Sequence, residues 1–115
     1  MQLSELAYFT NRVSEMAAFY RALLGSEPIA ESQDMAIFMN SGVKIFIHRT
    51  YEPGPDDLPP EDHTAYTVKN LEAAVARAGE LGLVLDVPPR DYYWGRSAYL
   101  RDPDGHQIEL IQAAD

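Results

Sequence analysis

Three side chains in this 115-residue chain have the types and the setting for metal or acid–base chemistry: Glu5, His63 and Glu109. Two carboxylates and an imidazole are oxygen and nitrogen donors suited to Fe(II), Mn(II), Ni(II), Co(II) or Zn(II). Their spacing along the chain is wide, so local motif geometry cannot assemble them; strand alternation can. In the last apolar stretch, Ile108 and Leu110 point one way, and Gln107, Glu109 and Ile111 point the other. His63, Ala65 and Thr67 share one face of another strand, and Glu5, Ala7 and Phe9 share one face of a third. On that reading the three converge on one pocket. The plainer reading makes Glu5 a near-terminal residue, Glu109 a solvated strand residue and His63 the end of an exposed loop.

Other residues could line such a pocket. Tyr92, Tyr93 and Trp94 follow Pro88 and Pro89, and aromatic side chains on a loop bring large apolar area with a polar edge. Arg90, Arg96 and Arg101 could grip a carboxylate or phosphate through paired donors, or pair with surface acids. His48 ends a strand beside Arg49, which suits a pocket edge, whereas His106 follows a turn and faces the helix side or solvent. The chain has no glycine-rich dinucleotide motif, phosphate-binding loop or serine-centred elbow, which argues against those chemistries.

The elements that must position these residues follow from pattern. Leu3 to Phe9 reads as a strand. Ser14 looks like the cap of a helix carrying Met16, Phe19, Tyr20 and Leu23 at helical spacing, stopped by Gly25. Glu27 to Ala30 is a weak strand, and Met35 to Met39 and Val43 to His48 flank an Asn40-Ser41-Gly42 turn. Residues 50–62 carry four prolines and five acidic residues, a density no helix or central strand survives, so they read as a linker.

The second half repeats the order. Thr64 to Val68 is a strand, and Asn70 caps a helix with Leu71, Val75, Ala78 and Leu81 on its apolar face, stopped by Gly82. Leu83 to Leu85 is a short strand. Ser97 to Leu100 and Gln107 to Ile111 flank Asp102-Pro103-Asp104-Gly105, residues placed as a type I turn prefers them. Setting residues 5–10 over 63–68 aligns Ala7 with Ala65 and Tyr8 with Tyr66. The expectation is a duplicated βαβββ unit, residues 1–49 and 63–115 about the linker, forming one α+β domain. Its mixed sheet curves, with the helices on the convex face.

Composition narrows the partners. Nine Lys and Arg against eighteen Asp and Glu give a net charge of −9, and the pI is near 4.6. Such a surface repels nucleic acid and anionic membranes, leaving small molecules and cations. There are no cysteines, which removes disulfides and thiolate ligands and accords with a cytoplasmic address. Neither a secretory signal nor a spanning segment is visible.

The segment RSAYLRDPDGHQIELIQ (96–112), with AFYRALLG (18–25), HTAYTVKNLEAAVARAGELG (63–82) and Tyr93-Trp94-Gly95, resembles the vicinal oxygen chelate superfamily. That superfamily includes glyoxalases, extradiol dioxygenases and bleomycin-resistance proteins. The resemblance implies paired βαβββ units around a divalent metal, with His63 and Glu109 at ligand positions and Glu5 where the first-unit His or Gln commonly stands. Glyoxalase-type members add a Glu on the fourth strand, where this chain has Phe46, with His48 two residues on and on the same face. Two functions follow as expectations. One is a metal-dependent lyase, isomerase or dioxygenase acting on a small oxygenated molecule, with Glu109 or Glu5 moving the proton. Phe46, His48, Tyr93, Trp94 and Arg96 would contact its substrate. The other is a metal-free, bleomycin-resistance-like binding protein. Either form is expected to be a homodimer, because small units expose sheet surface and the superfamily is largely dimeric.

Overall fold

The structure, a computed structural model, describes residues 1–114. Its elements are β1 (Gln2–Thr10), α1 (Val13–Leu24), β2 (Ala30–Glu31), β3 (Met35–Asn40), β4 (Val43–Arg49), β5 (His63–Val68), α2 (Leu71–Glu80), β6 (Leu85–Tyr92), β7 (Gly95–Arg101) and β8 (Gln107–Gln112). The fold is α+β, with two helices and strands in mixed arrays ordered β2-β3-β4-β1 and β5-β8-β7-β6. Contacts divide the chain into two units, one Glu5–Asp62, the other Met1–Ser4 with the chain from His63 on. Residues 50–62 form neither helix nor strand, as their prolines require.

In the unit containing α1, β1 lies parallel to β4, and β3 and β4 form the hairpin. Its turn is tighter than expected. Asn40 pairs with Val43, leaving Ser41 and Gly42 as a two-residue turn with φ +50° and +83°, the positive pair that matches strand twist. Val13 and Ala17 of α1 bury against Ala36, Phe38, Ile45 and Ile47. The helix therefore sits one step round from the expected stripe: Phe19 and Leu23 are exposed, at 58% and 64%. Arg12, not Ser14, holds the cap position, and no side chain caps this helix.

The other unit repeats the neighbour order. β5 is parallel to β8, which pairs antiparallel with β7, and β7 with β6. Val68, Leu71, Ala98 and Leu110 form its core; Leu81 lies outside it, exposed. β6 is longer than the sequence suggests and contains Pro88 and Pro89. They fit because β6 pairs on one side only and its register shifts twice between Leu85 and Arg90, so missing N–H groups break no ladder.

Two devices fix α2. Asn70 accepts the Ala73 N–H at 3.0 Å, and Gln112 at the end of β8 accepts the Leu71 N–H at 2.7 Å. Asn70→Ala is expected to lower stability by about 1 kcal/mol, read as a shift of the urea midpoint without a change in slope. At the β7–β8 turn, Asp102 accepts from the backbone of Asp104 and His106 at 3.0 and 2.8 Å. This pins Arg101 opposite Gln107.

Candidate functional site

Register builds the site. With Arg101 opposite Gln107, two residues further along Tyr99 stands opposite Glu109, and on the other side Ala65 does. Opposed residues share a face, so Tyr99, Glu109 and Ala65 form a row, with His63 and Gln107 in the row beside it. Ala65 is small enough to leave the neighbouring groups room to meet. His63 Nε2 lies 3.1 Å from Glu109 Oε1. The second carboxylate oxygen accepts from Ser97 Oγ at 2.8 Å and from the Trp94 indole N–H at 3.2 Å.

Glu109 is 3% exposed, a placement that raises a carboxyl pKa. That desolvation is the largest single influence, but hydrogen bonds from His63, Ser97 and Tyr99 and the attraction of His63 together outweigh it. They hold Glu109 below the ordinary carboxylate value, so it is an anion at neutral pH. Trp94 is fixed in turn: its ring stacks on Tyr92 at 4.4 Å and 3°, and Tyr92 meets Tyr99 edge to face at 6.1 Å. The Tyr92 hydroxyl and Gln107 Nε2 are buried without a hydrogen-bond partner among the described residues. Such orphaned groups accord with a bound molecule or water completing the site.

The other unit has a polar and aromatic face of its own. Glu5 stands opposite Lys44, Ala7 opposite Phe46 and Phe9 opposite His48, all turned away from the Ile45 and Ile47 core. Lys44 Nζ lies 3.9 Å from Glu5 Oε1. The His48 ring sits 5.7 Å from Phe9, 5.5 Å from Phe46 and 6.5 Å from Tyr51.

The sequence-derived candidates thus separate. His63 and Glu109 are in contact, with Trp94 bonded to the carboxylate. Phe46 and His48 share the strand face of Glu5. Tyr93 is 94% exposed at the hairpin tip. Arg96, next to Ser97, turns to the opposite face and pairs with Glu72 and Asp91 at 2.8 and 3.1 Å. His106 pairs with Asp102 inside its turn at 2.9 Å. Ser97, Tyr99 and Lys44 were not singled out. The first two were within reach, since the tight turn at 102–105 already implies that Tyr99 faces Glu109.

Comparison with known proteins identifies the family. The family model described as Glyoxalase/Bleomycin resistance protein/Dioxygenase superfamily matches residues 2–110. The metallothiol transferase FosB of Staphylococcus haemolyticus is 24% identical over 94% of this chain and 81% of its own length. Among solved structures, methylmalonyl-CoA epimerase from Mycobacterium tuberculosis is similar with a TM-score of 0.72 at 18% identity, covering 99% of this chain and 89% of that one. A superfamily member from Vibrio splendidus gives 0.65 at 19%, covering 95% of each chain. Over nearly its whole length, then, the chain belongs to the glyoxalase/bleomycin resistance protein/dioxygenase superfamily.

Proposed function

We propose that the protein is a divalent-metal-dependent enzyme acting on a small oxygenated molecule, of lyase, isomerase or dioxygenase type, with Glu5, His63 and Glu109 as metal ligands. The observation that carries this reading is the buried, ionised Glu109 held by His63 on one oxygen and by Ser97 and Trp94 on the other. Donors that fix a carboxylate's second oxygen orient the first, as outer partners of metal ligands do.

The donor set fits a transition ion. Two carboxylates and an imidazole are the oxygen and nitrogen donors such ions take. Iron, manganese, nickel, cobalt and zinc all accept such a set. When bound, the ion would supply Lewis acidity toward neighbouring substrate oxygens. The chain's own groups do the rest. Glu109 or Glu5 receives and returns a proton, Ser97 and Trp94 hold Glu109 in place, and Phe46 and His48 contact the substrate.

One observation favours the metal-free binding protein instead. Lys44 already faces Glu5, and His63 already meets Glu109, so the chain can compensate both carboxylates itself. Calorimetric titration of chelator-treated protein with Mn, Co, Ni and Zn, with Mg as contrast, separates the two. One transition ion per chain, bound in preference to Mg, is expected; no binding of any ion transfers the case to the binding protein.

A homodimer and a cytoplasmic location complete the reading. Phe19 and Leu23 leave apolar surface on α1 that a second copy would cover. No helix among the described residues is long and apolar enough to cross a membrane. Light scattering is expected to give twice the chain mass of 12.9 kDa.

A further inference from the structure

We propose that His48 Nε2 is a hydrogen-bond acceptor for a flat, conjugated ligand bearing a hydroxyl, whose ring packs against Phe9, Phe46 and Tyr51. The inference deepens the small-molecule reading of this face, and it does not need a metal.

It begins with a tautomer. His48 Nδ1 lies 2.7 Å from the backbone oxygen of Arg49. A carbonyl only accepts, so Nδ1 carries the hydrogen, and in the neutral ring the lone pair then belongs to Nε2. The carbonyl is itself well held. Arg49 donates its backbone N–H to Asp34 O at 2.8 Å, and its guanidinium bonds Asp34 Oδ1 at 2.7 Å and Gln33 O at 2.9 Å. The orientation of the imidazole therefore rests on an anchored residue. Nε2 has no hydrogen-bond partner among the described residues.

The surroundings select the ligand. Phe9 and Phe46 are half-buried on the same strand face, and Tyr51 is 40% exposed and held by its hydroxyl on Leu58 O at 2.8 Å. Three aromatic rings lie within 6.5 Å of the imidazole centroid, a setting that favours a flat apolar ring. Nε2 is the polar group of this cluster not yet bonded within the chain. As an acceptor it rewards a ligand hydroxyl and gives nothing to the same ring without one.

Phenol and its methyl ether, anisole, share a ring and differ in that donor, so they are the probes. Nitrogen NMR of the uniformly labelled protein should show His48 protonated on Nδ1. Phenol should shift the Nε2 resonance and bind at least tenfold more tightly than anisole. In His48→Phe, phenol should fall to the anisole level while anisole is unchanged, and His48→Gln, which keeps an acceptor, should recover part of the preference. Equal binding of the two probes, binding of neither, a proton on Nε2, or a phenol preference that survives in His48→Phe would overturn the proposal. Metal titration of His48→Phe keeps the two readings apart. An undiminished ion count with lost phenol preference is the expected result, and a phenol preference in a protein that binds no metal removes the metal reading alone.

Discussion

Glu109→Ala is expected to destabilise the fold by about 3 kcal/mol, whereas Glu109→Gln stays within about 1 kcal/mol of the parent and still loses metal. Alanine leaves the Ser97 hydroxyl, in a residue with no exposure, and the Trp94 indole N–H without the acceptor they share. A buried donor deprived of its partner costs about 1–3 kcal/mol. Glutamine keeps a carbonyl oxygen for those donors, and its amide N–H meets His63 Nε2 once the imidazole carries its proton on Nδ1, so the network survives. It carries no charge, and the ion loses its anionic ligand. Urea unfolding measures the first effect and ion content the second. A pH series adds a third reading. The folded-state pKa of Glu109 is lowered, so its contribution is fully present above the ordinary carboxylate value and fades as pH falls through the folded value. Thermal midpoints of the parent should therefore drop more steeply in acid than those of Glu109→Gln. Equal slopes would mean that the carboxylate is not held as an anion in the fold.

Phe38→Ala is expected to cost about 4 kcal/mol. Phe38 has no exposure and is enclosed by Val13 and Ala17 of α1 and by Ile45 and Ile47 of β4, with Tyr20 tilted against it at 6.2 Å. These neighbours belong to regular elements and cannot collapse into the space a lost ring leaves. Phe38→Leu should cost less than half as much, and its ion content should match the parent's, because this core lies on the opposite strand face from Glu5. A cost under about 1 kcal/mol for the alanine variant would show that the helix does not pack on β3 and β4 as described.

The contact between His63 and Glu109 was legible because alternation assigns each to a face and the turn at 102–105 fixes the β7–β8 register. Asn70 was legible for a similar reason: its cap is chemistry within four residues. The misplaced features depend on information that local sequence does not carry. Pro88 and Pro89 read as a break because β6's position at the sheet margin comes from topology. Phe19 and Leu23 are more apolar than Ala17, yet Ala17 faces inward because a small side chain lets α1 approach β3 and β4 closely. Lys44 went unnoticed beside Glu5 because their pairing needs the parallel β1–β4 register, and a long connection through a helix leaves that register open. Arg96 follows the same alternation, since its neighbour Ser97 is the residue that faces Glu109.

Trp94 is the single tryptophan of the chain, and its N–H rests on the Glu109 carboxylate. All indole emission from this protein therefore originates at the centre of the candidate site. A proton or a cation arriving at that carboxylate alters the field along the indole N–H bond, and with it the colour and yield of the light. The molecule thus carries an intrinsic optical gauge, free of background from any second indole, against which unlabelled compounds can be screened in ordinary buffer.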